Sequence, residues 1–396
     1  MESYTSFVIV AAIAFLAPLV RGMAPQILVP AIVLELVAGI ILGPHGLGLA
    51  ESTGPVDVFS TVGLACLLFL AGREIQVERL RGPLLTTSVA GFAISFALAF
   101  GCAATLHAVG LIKTPLLVAI VFVATSLSII IVPLKDAHET DSDFGQQVIA
   151  AAAIAEFGAV VLLSFFYSGD REGATTELLH LSLFVLAAAL IFLSLARAAS
   201  FRRITDAIKR LEGTSAQIRV RGDFALVAVV AGLASQLGLE MILAAFTVGL
   251  IRGMTSGRDE LQEERLDAVT LGIFIPFFFV DSGLNFNVGA LFASTSAFIR
   301  LPLFLLAILI VRALPALLYR RRFATRRTAA AGLLQATSLS FIVVATSIGL
   351  MLDIMYPATA AALVGAGLIT VMIFPTLALA LLDKREEPAA AGAAAR

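Results

Sequence analysis

Apolar stretches of about 20 residues recur along the whole chain with almost no charge inside them, and this leaves few folds open. In hydrocarbon every backbone donor and acceptor must be satisfied by the chain itself, which a helix does within one segment. Thirteen helical spans are read: about residues 5–20, 27–49, 58–75, 83–107, 115–134, 145–167, 178–199, 222–236, 239–253, 267–287, 299–319, 328–350 and 358–382. With 59% hydrophobic and only 14% charged residues, a soluble domain is excluded. The expectation is an all-α polytopic membrane protein.

Lys and Arg placement orients the spans. Arg79 and Arg81, the run from Arg197 through Lys209 and Arg210 to Arg221, Arg258 with Arg265, and Arg320 to Arg327 all fall in odd-numbered loops. The even loops hold little beyond Lys113, Arg171 and Arg300. This predicts a protein of the cell (inner) membrane with its amino terminus outside and its carboxyl terminus in the cytoplasm. The first span follows Met-Glu-Ser-Tyr, without the basic start of a signal peptide, so it is kept as a helix. Cys66 and Cys102 lie inside spans and read as packing residues. His45, His107, His138 and His180 show no metal-ligand spacing, so no metal is expected beyond a transported ion.

The pentapeptide Ala-Thr-Ser-Leu-Ser occurs at Ala124–Ser128 and again at Ala336–Ser340, each time within a span. Alone, such an identity is expected on the order of once by chance in so biased a composition. Collinear partners strengthen it: GLACLLFLAGREIQVERL from Gly63 resembles GIFIPFFFVDSGLNFNVGAL from Gly272. The two offsets, 209 (272 − 63) and 212 (336 − 124), nearly agree. Hydroxyls at these positions let a helix open in mid-membrane, and paired broken helices point to a substrate site between repeats. The chain divides into an extra helix (1–26), repeat one (27–167), linking helices with a basic cytoplasmic loop (168–238), repeat two (239–382) and a disordered Ala-rich tail (383–396). Each repeat holds five spans, an odd number, so the copies enter the membrane from opposite faces. No nucleotide-binding domain is expected after the membrane part.

Ionisable groups within spans are functional candidates by default. They are Glu35, Glu156, Asp281 and Arg312. Glu156, in AAAAIAEFGAVVLL, lies one loop after the first pentapeptide and can hold either a proton or a small cation. Arg312, in LAILIVRALPALLY, stays charged; it can neutralise Glu156, offset the negative ends of opened helices, or snorkel to the basic loop. The hydroxyls of Thr125, Ser126 and Ser128 in one half, and of Thr337, Ser338 and Ser340 with Gln335 in the other, can replace lost backbone bonds, and the freed carbonyls can strip water from a cation; Thr125 and Ser126 are placed with Glu156 at the ion, the others in support. The bland alternative is close helix packing through small residues. Asp281, followed by Asn285 and Asn287, is placed near a water interface, and Glu35 on a helix packed through Gly39 and Gly43.

VPAIVLELVAGIILGPHGLG, LLFLAGREI, ATSLSIII, GQQVIAAAAIAEFGAVVLL, LAAFTVGLI and PFFFVDSGLNFNV together resemble the monovalent cation:proton antiporter-2 family of sodium or potassium/proton exchangers. The resemblance implies two inverted five-helix repeats with extra helices, crossing discontinuous fifth and twelfth spans, a homodimer, and exchange of Na+ or K+ for H+ across the lipid bilayer. No cofactor, nucleic-acid partner or enzymatic activity is implied. In that family the helix carrying Glu156 holds Asp-Asp or Asn-Asp; here those positions read Ala155 and Glu156. The family's basic residue falls on Arg312 and its helix-break threonine on Thr125. Loss of the first acid implies electroneutral exchange. An organic-anion symporter would show more polar cavity residues, and a membrane sensor a signalling domain.

Overall fold

The structure, a computed structural model, describes residues 2–23, 30–74, 82–167, 217–236, 241–255, 260–292 and 295–382, with isolated positions between 182 and 214. The described chain forms sixteen α-helices. The first seven are α1 (Glu2–Met23), α2 (Ala31–Leu42), α3 (Pro55–Glu74), α4 (Gly82–Ala108), α5 (Pro115–Val123), α6 (Leu127–Asp136) and α7 (Asp143–Tyr167). Then follow α8 (Ile218–Gln236), α9 (Met241–Thr255), α10 (Glu260–Val269), α11 (Ile275–Leu284), α12 (Val288–Phe292) and α13 (Thr295–Ala313). The last three are α14 (Thr325–Gln335), α15 (Ser340–Met351) and α16 (Pro357–Leu382). A π-helical turn, Thr270–Phe274, joins α10 to α11, and a 3-10 segment, Pro315–Arg321, follows α13.

The chain is a multi-pass helical membrane protein. Eight of these helices or joined helices are long and apolar enough to cross a bilayer, and Ala31–Leu42 and Leu243–Met254 are shorter apolar helices. Half of the positions of the seventh expected span, 178–199, lie outside the described residues, and the whole tail 383–396 does.

The helices sort into two groups by what they pack against. In one, α4 packs on α5 and α7, α13 on α14 and α16, and α16 on α15. In the other, α3 packs on α9 and α11, and α2 on α1 and α11. The groups meet where α6 and α7 touch α3, where α7 touches α9, and where α12 touches α16.

Two contacts in the second group are so close that only glycine fits. A Cβ on Gly39 would overlap the Val280 carbonyl, and one on Gly283 the Leu36 carbonyl, which brings the backbones of α2 and α11 together. The same arrangement joins α3 to α9, where Gly249 meets the Phe69 carbonyl and Gly72 the Phe246 carbonyl. The matching glycines lie 210 (249 − 39) and 211 (283 − 72) positions apart, close to the offset of the pentapeptides. One helix-pair contact thus occurs twice, built from small residues as lipid-embedded helices require.

Candidate functional site

Both pentapeptides fall on helix breaks. The fifth span is α5 and α6, interrupted at Ala124–Ser126, where Ala124 and Ser126 take extended backbone (ψ 152 and 102). The twelfth is α14 and α15, interrupted between Gln335 and Ser340. Adjacent Thr and Ser side chains compete for backbone groups and so favour such openings.

Each break satisfies the other. Ser126 N–H donates to the Thr337 carbonyl at 3.2 Å, and Leu339 N–H donates to Ser126 Oγ at 3.2 Å. Thr125 Oγ1 donates to the Gln335 carbonyl at 2.8 Å. The two broken spans run antiparallel. Lys113, just before α5, meets Asp353, just after α15, at 2.8 Å, whereas Glu139, beyond the end of α6, meets Arg327 near the start of α14 at 3.1 Å. Two helix C-termini (α5, α14) and two N-termini (α6, α15) therefore converge, bringing partial negative and positive charge together in pairs.

One acid and one base complete the crossing. Glu156, 5% exposed in the middle of α7, accepts the Leu127 N–H on Oε2 at 3.1 Å, at the positive start of α6. Arg312, 2% exposed near the end of α13, donates from Nε to the Gln335 carbonyl at 3.2 Å and from Nη1 to Ser95 Oγ at 3.2 Å. The guanidinium thus lies on the negative end of α14, and it neither pairs with Glu156 nor snorkels to the surface. Those two of its three sequence-level roles are corrected: the carboxylate is held by a helix N-terminus and the arginine by a helix C-terminus. Arg312 Nη2 and Ser338 Oγ are buried without a hydrogen-bond partner among the described residues.

The other expected site residues divide. Thr337 and Ser338 lie in the second break, and Ser340 opens α15, all buried. Thr337 Oγ1 turns back to the Leu333 carbonyl at 3.2 Å. Gln335 donates from Nε2 to Tyr319 Oη at 2.9 Å. Ser128 is the second residue of α6, past the break, and its side chain lies outside the described set. Asp281 is not brought to the crossing: it is buried on α11, one turn before that helix ends, and is bonded to Ser60, Asn285 and Ser52, the last in the loop before α3 whose neighbours Glu51 and Thr53 are exposed. Glu35 belongs to the same group, on α2, with Oε2 lacking a partner among the described residues.

Sequence reasoning passed over five residues around the crossing: Ser88, Ser95, Gln147, Tyr319 and Thr370. Ser95 holds Arg312; Gln147 bonds Ser88 at 3.0 Å and also Tyr319; and Thr370 bonds the backbone of Ser338. Single hydroxyls and amides in apolar helices leave no pattern.

Comparison with known proteins gives one consistent result. The family described as "Sodium/hydrogen exchanger, transmembrane" matches residues 11–383. The Bacillus subtilis protein YjbQ, which carries the provisional name Na(+)/H(+) antiporter, is 29% identical over 97% of this chain; the alignment spans 64% of YjbQ. The Na(+)/H(+)-K(+) antiporter GerN of Bacillus cereus is 26% identical over 65% of this chain and 65% of its own length. The sodium proton antiporter MjNhaP1 of Methanocaldococcus jannaschii, solved at pH 8, shares the fold with a TM-score of 0.63 at 18% identity, over 97% of this chain and 100% of that one.

Proposed function

Because the chain belongs to the sodium/hydrogen exchanger family, we propose that it is a secondary transporter exchanging a monovalent cation, Na+ or K+, for a proton, with Glu156 as the shared carrier. The observation that carries this reading is the Glu156 carboxylate, buried in mid-span and held by the Leu127 N–H where two broken helices cross. A carboxylate removed from water favours a partner, and at this position the partner is either a proton on its own oxygen or a cation beside it. The two exclude each other because a protonated carboxyl has no charge to offer. Thr125 and Ser126 add oxygens close by, and Arg312 holds the α14 end without changing charge.

Stoichiometry follows from the charge count. With Ala155 beside Glu156, one carboxylate at the crossing gains or loses one charge, so one cation replaces one proton and no net charge moves. Alternating access takes place at the boundary between the two helix groups, where α6 and α7 face α3 and α9. The repeats at 27–167 and 239–382 supply the equivalent openings, supported by antiparallel broken helices and duplicated glycine contacts. We place the protein in the inner membrane as a homodimer with its basic loops cytoplasmic; Lys113 and Arg327 lie at opposite ends of the broken spans, as this orientation requires.

The test is a pH-gradient dequenching assay in everted vesicles with sodium, potassium or lithium. Glu156→Gln should abolish exchange with every cation. Full-rate exchange by that variant would remove Glu156 as carrier, and a wild-type rate that changes when membrane potential is clamped would remove electroneutrality.

A further inference from the structure

α7 begins at Asp143 and α16 at Pro357, an offset of 214 (357 − 143), and the same offset carries Glu156 onto Thr370 (370 − 156). Thr370 is 0% exposed, and its bonding repeats that of Glu156. Glu156 accepts the N–H of Leu127 at the first break. Thr370 Oγ1 accepts the N–H of Ser338 at the second, at 3.2 Å. The hydroxyl proton is shared between the Ser338 carbonyl, at 3.1 Å, and the Gly367 carbonyl, at 2.7 Å. The last helix of each segment therefore holds a peptide of the neighbouring break, with a carboxylate in one copy and a hydroxyl in the other.

This hold decides where Ser338 points. With its N–H and its carbonyl both tied to Thr370, the peptides flanking its Cα cannot rotate, so the side-chain direction is fixed. Ser338 Oγ is buried, 1% exposed, and has no hydrogen-bond partner among the described residues. A buried hydroxyl without a partner is uncommon and calls for a ligand. The residues on either side of it, Thr337 and Leu339, bond Ser126 through backbone groups, so Ser338 stands at the crossing beside the start of α6, which Glu156 caps.

We propose that Ser338 Oγ is a neutral ligand of the transported cation and that Thr370 is the positioning residue that aims it. This deepens the exchange reading above and rests on it. A cation stripped of water needs several oxygens, and protein dipoles can replace its hydration shell. Glu156 supplies at most two, and a hydroxyl adds another without adding charge, which keeps the exchange one for one.

The experiment measures apparent KM for sodium, potassium and lithium in everted vesicles, with the amount of folded protein determined for each variant. Thr370→Val and Ser338→Ala should each raise the cation KM about tenfold, with the maximum rate within about twofold of wild type. Thr370→Ser should stay near wild type. The double variant should be no worse than either single one, because both act through one oxygen. A purely structural threonine would lower folded protein and rate while leaving KM unmoved. KM values within about twofold of wild type in Ser338→Ala overturn the inference, even if Thr370→Val does not fold. Glu156→Gln in the same assay separates the two claims. If it abolishes exchange while Ser338→Ala keeps its KM, the hydroxyl ligand falls and the carrier stands. If it exchanges at full rate while Ser338→Ala shifts KM, the carrier falls and the ligand stands.

Discussion

Shortening the carrier by one methylene, Glu156→Asp, tests whether the Leu127 N–H holds the working carboxylate. In the wild type Oε2 lies 3.1 Å from that nitrogen. Removing one C–C bond withdraws the oxygen by up to about 1.5 Å, to as much as about 4.5 Å, beyond the roughly 3.2 Å reach of an N–H···O bond. α7 cannot slide to recover it. Gln147 ties the helix to Ser88 at 3.0 Å, and Gly158 is packed directly against the Phe92 ring. A hydrogen bond to a charged group contributes about 1.5–3 kcal/mol, which converts to about tenfold or more in affinity. The N–H favours the charged carboxylate, so its loss favours the protonated one, and the cation competes less well. Apparent cation KM should therefore rise about tenfold at fixed pH, and raising the pH should offset the rise. Dequenching assays over a pH series measure both effects. A Glu156→Asp KM within about twofold of wild type at every pH would show that this bond does not position the carrier.

Ala155→Asp restores a second acid beside Glu156; exchange should then respond to a clamped membrane potential, and a rate indifferent to potential would refute the link between acid number and charge moved. Gly283→Leu drives a side chain into the Leu36 carbonyl, which no rotamer can avoid, so thermal unfolding in detergent should show a loss of about 1–3 kcal/mol or more. Gly101→Ala, at a helical position with nothing within 4 Å, should instead be neutral or gain up to about 1 kcal/mol, and equal losses in the two variants would refute the close-packing argument. Arg312→Lys keeps the charge but cannot span Gln335 and Ser95 with a planar fork, so about 1.5–3 kcal/mol of stability should go while exchange remains one for one. A stability equal to wild type in Arg312→Lys would mean that one of those two bonds contributes nothing.

The breaks were legible because an opened helix in hydrocarbon needs hydroxyls, and Thr125, Ser126, Thr337 and Ser338 are conspicuous among Ala, Leu and Ile. Glu156 and Arg312 were legible for the related reason that a charge in a span is costly. Their partners were not. Whether Arg312 turns toward Glu156 or toward the Gln335 carbonyl depends on how α13 is rotated against α14 and α4, and periodicity along one helix does not encode rotation against another. Asp281 was grouped with the crossing because a charge in a span is conspicuous, whereas its partners Ser52, Ser60 and Asn285 place it in the other helix group, which its own sequence surroundings do not encode. Thr370 left no mark because a threonine in a membrane helix ordinarily bonds its own backbone; its bond to Gly367 is of that kind, and only its bonds to Ser338 set it apart.

The crossing also shows how a duplicated architecture can carry an unpaired chemistry. Four helix ends meet there, two of each polarity, and in a symmetric arrangement their partial charges would be matched the same way on both sides. They are not. The start of α6 faces a carboxylate, while the N–H groups leading into α15 face the hydroxyls of Ser126 and Thr370. The end of α14 faces a guanidinium, which keeps its charge at any pH the protein meets. Of the groups gathered at this point, Glu156 is the one whose charge can change, and it changes by one. On the proposed reading the divergence of a single position between segments, Glu156 against Thr370, limits each cycle to one proton. The helix ends, already matched in pairs, need no further charge to accept the cation that replaces it.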